Sequence, residues 1–241
     1  VIEVRGLAKS FGGVSAVREV SFSALDGAVT GLLGPNGAGK STTLRMVYTV
    51  LRPDRGTVHI DGTDALRDGE AARRRIGVLA AQPGLYRELT ARENVAYFGR
   101  LHGLRRSALD RRVDELIDML GFADCAQQRA GTLSQGQRVK TALARALVHA
   151  PQNVLLDEPT NGLDVPAIRA LREIIQRLRA QGHCVLFSSH VMQEVAAVCD
   201  RLVVIAGGRV VACATPSELA AGHGGSLEDA FVAAVGQREA P

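Results

Sequence analysis

Apolar and polar residues alternate at Val1-Ile2-Glu3-Val4 and again at Val20-Ser21-Phe22-Ser23, which predicts two early strands. Residues 28–33 form a short apolar run that feeds a glycine-rich turn. Residues 41–50 then read as a helix, ended by Pro53 and Gly56. Residues 57–60, followed by Asp61-Gly62, read as a strand entering a turn. After Pro83 the period changes. From Ala91 to about Ala150 the pattern is mainly helical, with Val113, Leu116, Ile117 and Leu120 on one face. Gly103, Gly121 and Gly131 punctuate it. Strand-like runs return at 154–156, 185–187 and 202–205, separated by helical stretches such as 165–181. From Pro216 another helix is expected, then a polar end. Alternating strands and helices imply an α/β fold with a mostly parallel sheet and a helical insertion.

Composition narrows the class. Apolar residues are 46% and charged residues 22% of the 241, enough for a packed core and too apolar for a disordered chain. No run approaches the roughly 18 apolar residues of a membrane span. The start, VIEVRGLAKSFGG, lacks the basic-then-apolar order of a secretory signal. The expectation is a cytosolic chain that does not cross a membrane by itself. Cys125, Cys184, Cys199 and Cys213 form no CxxC pair, so reduced packed thiols are expected rather than a zinc ribbon. The net charge is +4, but the basic excess is arginine in short dispersed groups. Tryptophan is absent and aromatics are 4%, poor material for stacking bases, so no nucleic-acid partner is expected.

The chemistry begins at Gly34-Pro35-Asn36-Gly37-Ala38-Gly39-Lys40-Ser41, which fits GxxxxGK[ST] in full, with Thr42 following. A strand precedes it and a helix follows. Glycines let several N–H groups turn toward one anion, and the helix directs its positive end at the same place. Lys40 can reach the β- and γ-phosphates, and the Ser41 hydroxyl suits Mg²⁺. By itself this motif fits kinases, GTPases and ATPases alike.

Asn153-Val154-Leu155-Leu156-Asp157-Glu158 is an apolar strand ending in two carboxylates. Ligands of open parallel sheets sit at such strand ends. Side chains alternate along a strand, which suits two jobs: Asp157 to hold Mg²⁺, Glu158 to polarise the attacking water. Without the phosphate cradle the pair would read as an acidic turn before Pro159. Ser134 is a good N-cap for a helical run over 138–148, an ordinary structural feature taken alone. His190 ends the strand-like stretch Val185-Leu186-Phe187-Ser188-Ser189-His190 and can face a nucleotide there.

In this order and spacing the pieces resemble the nucleotide-binding domain of ATP-binding cassette (ABC) transporters over nearly the whole chain. Gly34 to Ser41 matches Walker A. Val154 to Glu158 matches Walker B with its glutamate. Leu133-Ser134-Gln135-Gly136-Gln137 looks like the LSGGQ signature with Gln135 in place of the first glycine, Asn161-Gly162-Leu163-Asp164 like the D-loop, and His190 like the switch histidine. Phe11 sits where an aromatic residue stacks on adenine. The resemblance implies a P-loop NTPase fold: a RecA-like core with a parallel-rich sheet, an antiparallel β subdomain and a helical subdomain. One domain would cover 1–241, with the core at about 1–82 and 151–215, the helical part at about 83–150 and a helical tail at about 216–241. It implies ATP and Mg²⁺, with Glu158, His190 and Lys40 as catalytic residues. Two such domains, as two copies of the chain, would pair head to tail, so that Ser134 and Gly136 act in trans.

The family also places a glutamine between the metal and the helical subdomain. Counting back from Leu89-Thr90-Ala91-Arg92-Glu93-Asn94, that position falls on Ala81, with Gln82 next. Either a shift of one residue, about 3.5 Å, brings Gln82 to the metal, or that contact is absent from this chain. Residues 84–86, 89–94, 99–103 and 226–231 look like the bacterial ABC-2-type exporter branch, near sodium-export ATPases. The resemblance thus implies an exporter ATPase on the cytoplasmic face of the cell membrane, docked through residues 85–97 to a separate integral membrane permease. The alternative is a soluble ABC-type ATPase acting in protein-complex assembly.

Overall fold

The computed structural model describes residues 1–82, 84–221 and 226–236. Among the described residues, ten strands form one sheet in the order β5-β4-β1-β2-β10-β9-β3-β8-β7-β6. They are β1 (Ile2–Phe11), β2 (Val14–Ala24), β3 (Val29–Leu33), β4 (Arg55–Ile60), β5 (Thr63–Asp64), β6 (Ile76–Leu79), β7 (Asn153–Asp157), β8 (Cys184–Ser189), β9 (Arg201–Ala206) and β10 (Arg209–Ala214). β9, β3, β8, β7 and β6 run parallel. β2, β1, β4 and β5 are antiparallel. The two parts join through β10, which pairs antiparallel with β9 and touches β2 at Arg209 opposite Glu19.

β3, β7 and β8 are buried along their whole length, as strands covered on both faces must be. Their side chains divide by the period of two. Leu33, Leu156 and Phe187 enter one apolar cluster, and Leu32, Leu155 and Leu186 enter the other. The helices α3 (Ala91–Leu101), α4 (Arg106–Leu120), α5 (Gln135–Leu147), α6 (Val165–Ala180) and α7 (Met192–Val198) feed the first cluster. The second is closed by α1 (Lys40–Val47), α2 (Gly69–Arg74) and the antiparallel strands. The tail holds α8 (Pro216–Ala221) and α9 (Leu227–Gly236). The helical stretch expected after Pro83 is α3, α4 and α5, while Pro83 itself and the last five residues of the expected polar end lie outside the described residues.

Several elements differ in extent from the pattern. β1 and β2 run much further than 1–4 and 20–23, because register shifts between Val4 and Ser10 absorb the break at Gly6. α1 ends at Val47 rather than near Val50, since Thr49 takes a left-handed backbone with φ 65°. The short strands β5 and β6 and the six-residue α2 carry too few residues to show a period, and β10 is partly exposed along its whole length, with no alternation to read.

Candidate nucleotide site

The C-terminal ends of β3, β7 and β8 lie side by side, with Leu33 opposite Ser189 and Asp157 opposite Ser188. Each opens into one loop of the site. After β3 the chain turns through Gly34 to Gly39 into α1. A Cβ at Gly34 would lie 2.2 Å from the Ile205 carbonyl oxygen, so only glycine lets the loop leave the sheet here. Gly39, at φ 104°, caps α1 and has no side chain to cover the first-turn N–H groups. Those donors face outward at the positive end of a helix, which is the condition for holding a phosphate.

Lys40 is 4% exposed. Its Nζ donates to the Gly34 carbonyl at 2.7 Å and to the Pro35 carbonyl at 3.1 Å, and lies 3.7 Å from Glu158 Oε1. Burial pulls its pKa below the usual lysine value, against the opposing pull of Glu158 and Asp157. Ser41 donates through Oγ to Asp157 Oδ1 at 3.1 Å. A hydroxyl and a carboxylate so placed are the hard oxygen donors Mg²⁺ takes, so the residues present fit that ion.

Glu158 takes a left-handed backbone, φ 47°. Two bonds hold it there: its N–H reaches the Ser188 carbonyl at 3.2 Å and Ser188 Oγ at 2.9 Å. Its Oε2 accepts from Asn161 Nδ2 at 2.6 Å and lies 3.2 Å from His190 Nδ1. Glu158 therefore stands between the lysine of the phosphate loop on one side and Asn161 and His190 on the other. The buried Ser188 donates to Asp157 Oδ1 at 2.8 Å. Neither Ser188 nor the Asn161 contact stands out in the linear pattern.

The other residues singled out above lie around this centre or apart from it. Phe11 ends β1 and is half exposed, with Lys9 Nζ 5.8 Å from its ring centre. Ser134 is exposed and caps α5: its Oγ accepts from the Gln137 N–H at 3.3 Å, and Gln137 Oε1 accepts from the Ser134 N–H at 2.9 Å. α5 packs on α3, α4 and β6, whereas α1 packs on β1, β2 and β7. Gln82 is exposed and lines a groove of about 1020 Å³ together with Arg145, Phe98, Leu101, His102 and His149. Among the described residues, Gln82 makes no hydrogen bond to Ser41 or Asp157. The four cysteines are free, and all but Cys213 are buried.

The ABC transporter family profile matches residues 17–161. The chain is 45% identical over 199 residues to the ABC transporter ATP-binding protein NatA of Bacillus subtilis, covering 82% of this chain and 81% of that protein. It is 37% identical to the daunorubicin resistance ATP-binding protein DrrA3 of Streptomyces coeruleorubidus, over 98% of this chain and 75% of the relative. A solved ATP-binding subunit of an ABC transporter superposes with a TM-score of 0.88 at 29% identity, over 97% of this chain and 99% of that one. A bacterial ABC transporter cassette solved as a dimer gives 0.82 at 26% identity, over 89% and 98%. The P-loop NTPase fold, the nucleotide cradle and these relatives agree: the chain belongs to the ATP-binding, ATP-hydrolysing subunits of ABC transporters.

Proposed function

We propose that the chain energises an exporter from the cytoplasmic face of the membrane, hydrolysing ATP between two copies of itself. The observation that carries the reading is the placement of Glu158, with Lys40 at 3.7 Å on one side and His190 at 3.2 Å on the other. Residues 34–42 hold the phosphates, and Phe11 meets the adenine. Ser41 and Asp157 hold Mg²⁺, whose charge offsets that of the phosphate oxygens. Glu158 polarises a water and takes its proton as the water oxygen bonds to the γ-phosphorus. The bond from that phosphorus to the β-phosphate oxygen breaks, and ADP departs. His190 steadies Glu158, and Lys40 offsets negative charge on the phosphates.

The signature residues Ser134 and Gly136 serve the second copy. Ser134 is exposed at the start of α5, where a second copy can reach it. The residues at 83–150 form the arm that meets the permease, and Gln82 couples that arm to the site. Exposed Tyr86 and Tyr97, beside the groove, offer the docking surface. Among the described residues no helix is long and apolar enough to cross a membrane, in keeping with a separate permease. Export is supported by relatives named for daunorubicin resistance and Nod factor export. Sodium is the cargo suggested by the resemblance of residues 84–86, 89–94, 99–103 and 226–231.

Glu158→Gln tests the mechanism. It should bind ATP, accumulate as an ATP-bound dimer on gel filtration and turn over at least about a hundredfold more slowly. Hydrolysis at the wild-type rate would remove Glu158 from its role. Sodium extrusion by cells expressing the chain with its permease, abolished by the same variant, tests the cargo.

A further inference from the structure

Glu194 is 8% exposed and lies on α7, outside every motif described above. No lysine, arginine or histidine pairs with it among the described residues. Its Oε2 instead accepts two hydroxyl hydrogens, from Thr160 Oγ1 at 2.6 Å and from Ser189 Oγ at 2.9 Å. Burying a carboxylate without a cation is costly, and an apolar side chain would fill the same space at less expense. The short bonds to two hydroxyls offset part of that cost.

The two hydroxyls belong to the two segments that embrace Glu158. Thr160 is two residues beyond Glu158 and adjoins Asn161, whose amide grips Glu158 Oε2. Ser189 immediately precedes His190. Because Glu194 takes the Ser189 hydroxyl hydrogen, the Ser189 oxygen keeps its lone pairs for the Val191 N–H at 3.0 Å. The backbone is thereby fixed on both sides of His190. Without the carboxylate the Ser189 hydroxyl is free to rotate, the Thr160 turn loses its tie to β8, and the two arms that hold Glu158 can drift apart.

We propose that Glu194 is a positioning residue for hydrolysis: it binds Thr160 and Ser189 together and so sets the relative placement of Asn161, His190 and Glu158. It touches neither nucleotide nor metal. The proposal rests on the roles given above to Glu158 and His190.

The test compares Glu194→Ala, Glu194→Gln, Ser189→Ala, Thr160→Val and His190→Ala in the full chain, with MgATP as the probe. Assays run well below each variant's melting temperature. Glu194→Ala is expected to lower kcat about tenfold or more while the ATP Kd and KM stay within about twofold, the pattern of a lost transition-state contact. Glu194→Gln keeps an acceptor oxygen for both hydroxyls and is expected to recover most of that loss. Ser189→Ala and Thr160→Val change few atoms. Each should lower kcat in the same sense, with effects that are not additive to Glu194→Ala. Wild-type kcat in Ser189→Ala and Glu194→Ala overturns the proposal, as does a fall in kcat matched by an equal loss of ATP affinity. If His190→Ala itself turns over at the wild-type rate, the underlying assignment fails instead. If His190→Ala is inactive and the Glu194 variants are not, only the positioning role fails.

Discussion

Asp157 is held by hydroxyls from two different elements, Ser41 on α1 and Ser188 on β8. The same Ser188 oxygen accepts the Glu158 N–H. One buried hydroxyl thus orients the carboxylate proposed for Mg²⁺ and the strained backbone of its neighbour. Ser188→Ala should lower stability by about 1–2 kcal/mol, the cost of leaving a buried N–H and carboxylate less well satisfied. It should also raise the Mg²⁺ concentration for half-maximal hydrolysis, whereas Ser188→Thr should restore it; a Mg²⁺ titration of activity and a urea melt check both. Residues like this were not legible in advance. The phosphate loop announces itself because anion binding demands glycines, a lysine and a hydroxyl at fixed local spacing. Ser188 and Asp157 are 31 positions apart, and Thr160 and Glu194 are 34 apart. Such pairs leave no local pattern: the parallel register of β7 with β8 brings Asp157 to Ser188, and the segments that leave those strands bring Thr160 to Glu194.

At the scale of elements, periodicity located the buried strands and the long helices, and it failed where tertiary contacts overrule local signals. Gly77 is an example. A Cβ there would lie 2.3 Å from the Ala146 carbonyl oxygen, so the glycine in β6 sets how closely α5 approaches the sheet. The end of that helix is then tied down just beyond it. His149 Nε2 lies 3.0 Å from the Ile76 carbonyl oxygen, to which it must donate. That leaves Nδ1 bare, and it is buried with no hydrogen-bond partner among the described residues. His102 stacks on His149 with ring centres 3.8 Å apart. Burial first, then the neighbouring His102 and Arg112, hold the His149 pKa down to about 4 despite the bond to Ile76. An unfolded chain would protonate it near 6.5. Between these values the unfolded state binds more protons, so stability falls as pH drops from about 6.5 and levels off below about 4. Urea midpoints measured from pH 6.5 to 5 should therefore decline, and His149→Gln should flatten that slope.

For the molecule as a whole, the site sits at one end of the parallel strands, and the groove lies between α2, β6, α3 and the end of α5. Asn94 is fully buried and braces the segment beside it, accepting the Tyr86 N–H at 2.9 Å and donating to the Tyr86 and Thr90 carbonyls. Tyr86 and Tyr97 stand edge to face at 5.3 Å and remain exposed. A rigid aromatic surface of this kind suits a protein partner. Tyr97→Ala combined with Leu101→Glu should abolish co-purification with a polytopic protein from solubilised membranes, with the melting temperature unchanged. The arm carrying this surface departs after β6 and returns at β7, two strands paired in register from Ile76 with Asn153 to Leu79 with Leu156. Its exit and re-entry flank a seam of the sheet that the excursion does not form. Descendants of this chain could therefore vary the exposed surface from Tyr86 to Leu101, and with it the choice of partner, while keeping Ser134, Gly136 and the phosphate loop that the chemistry needs.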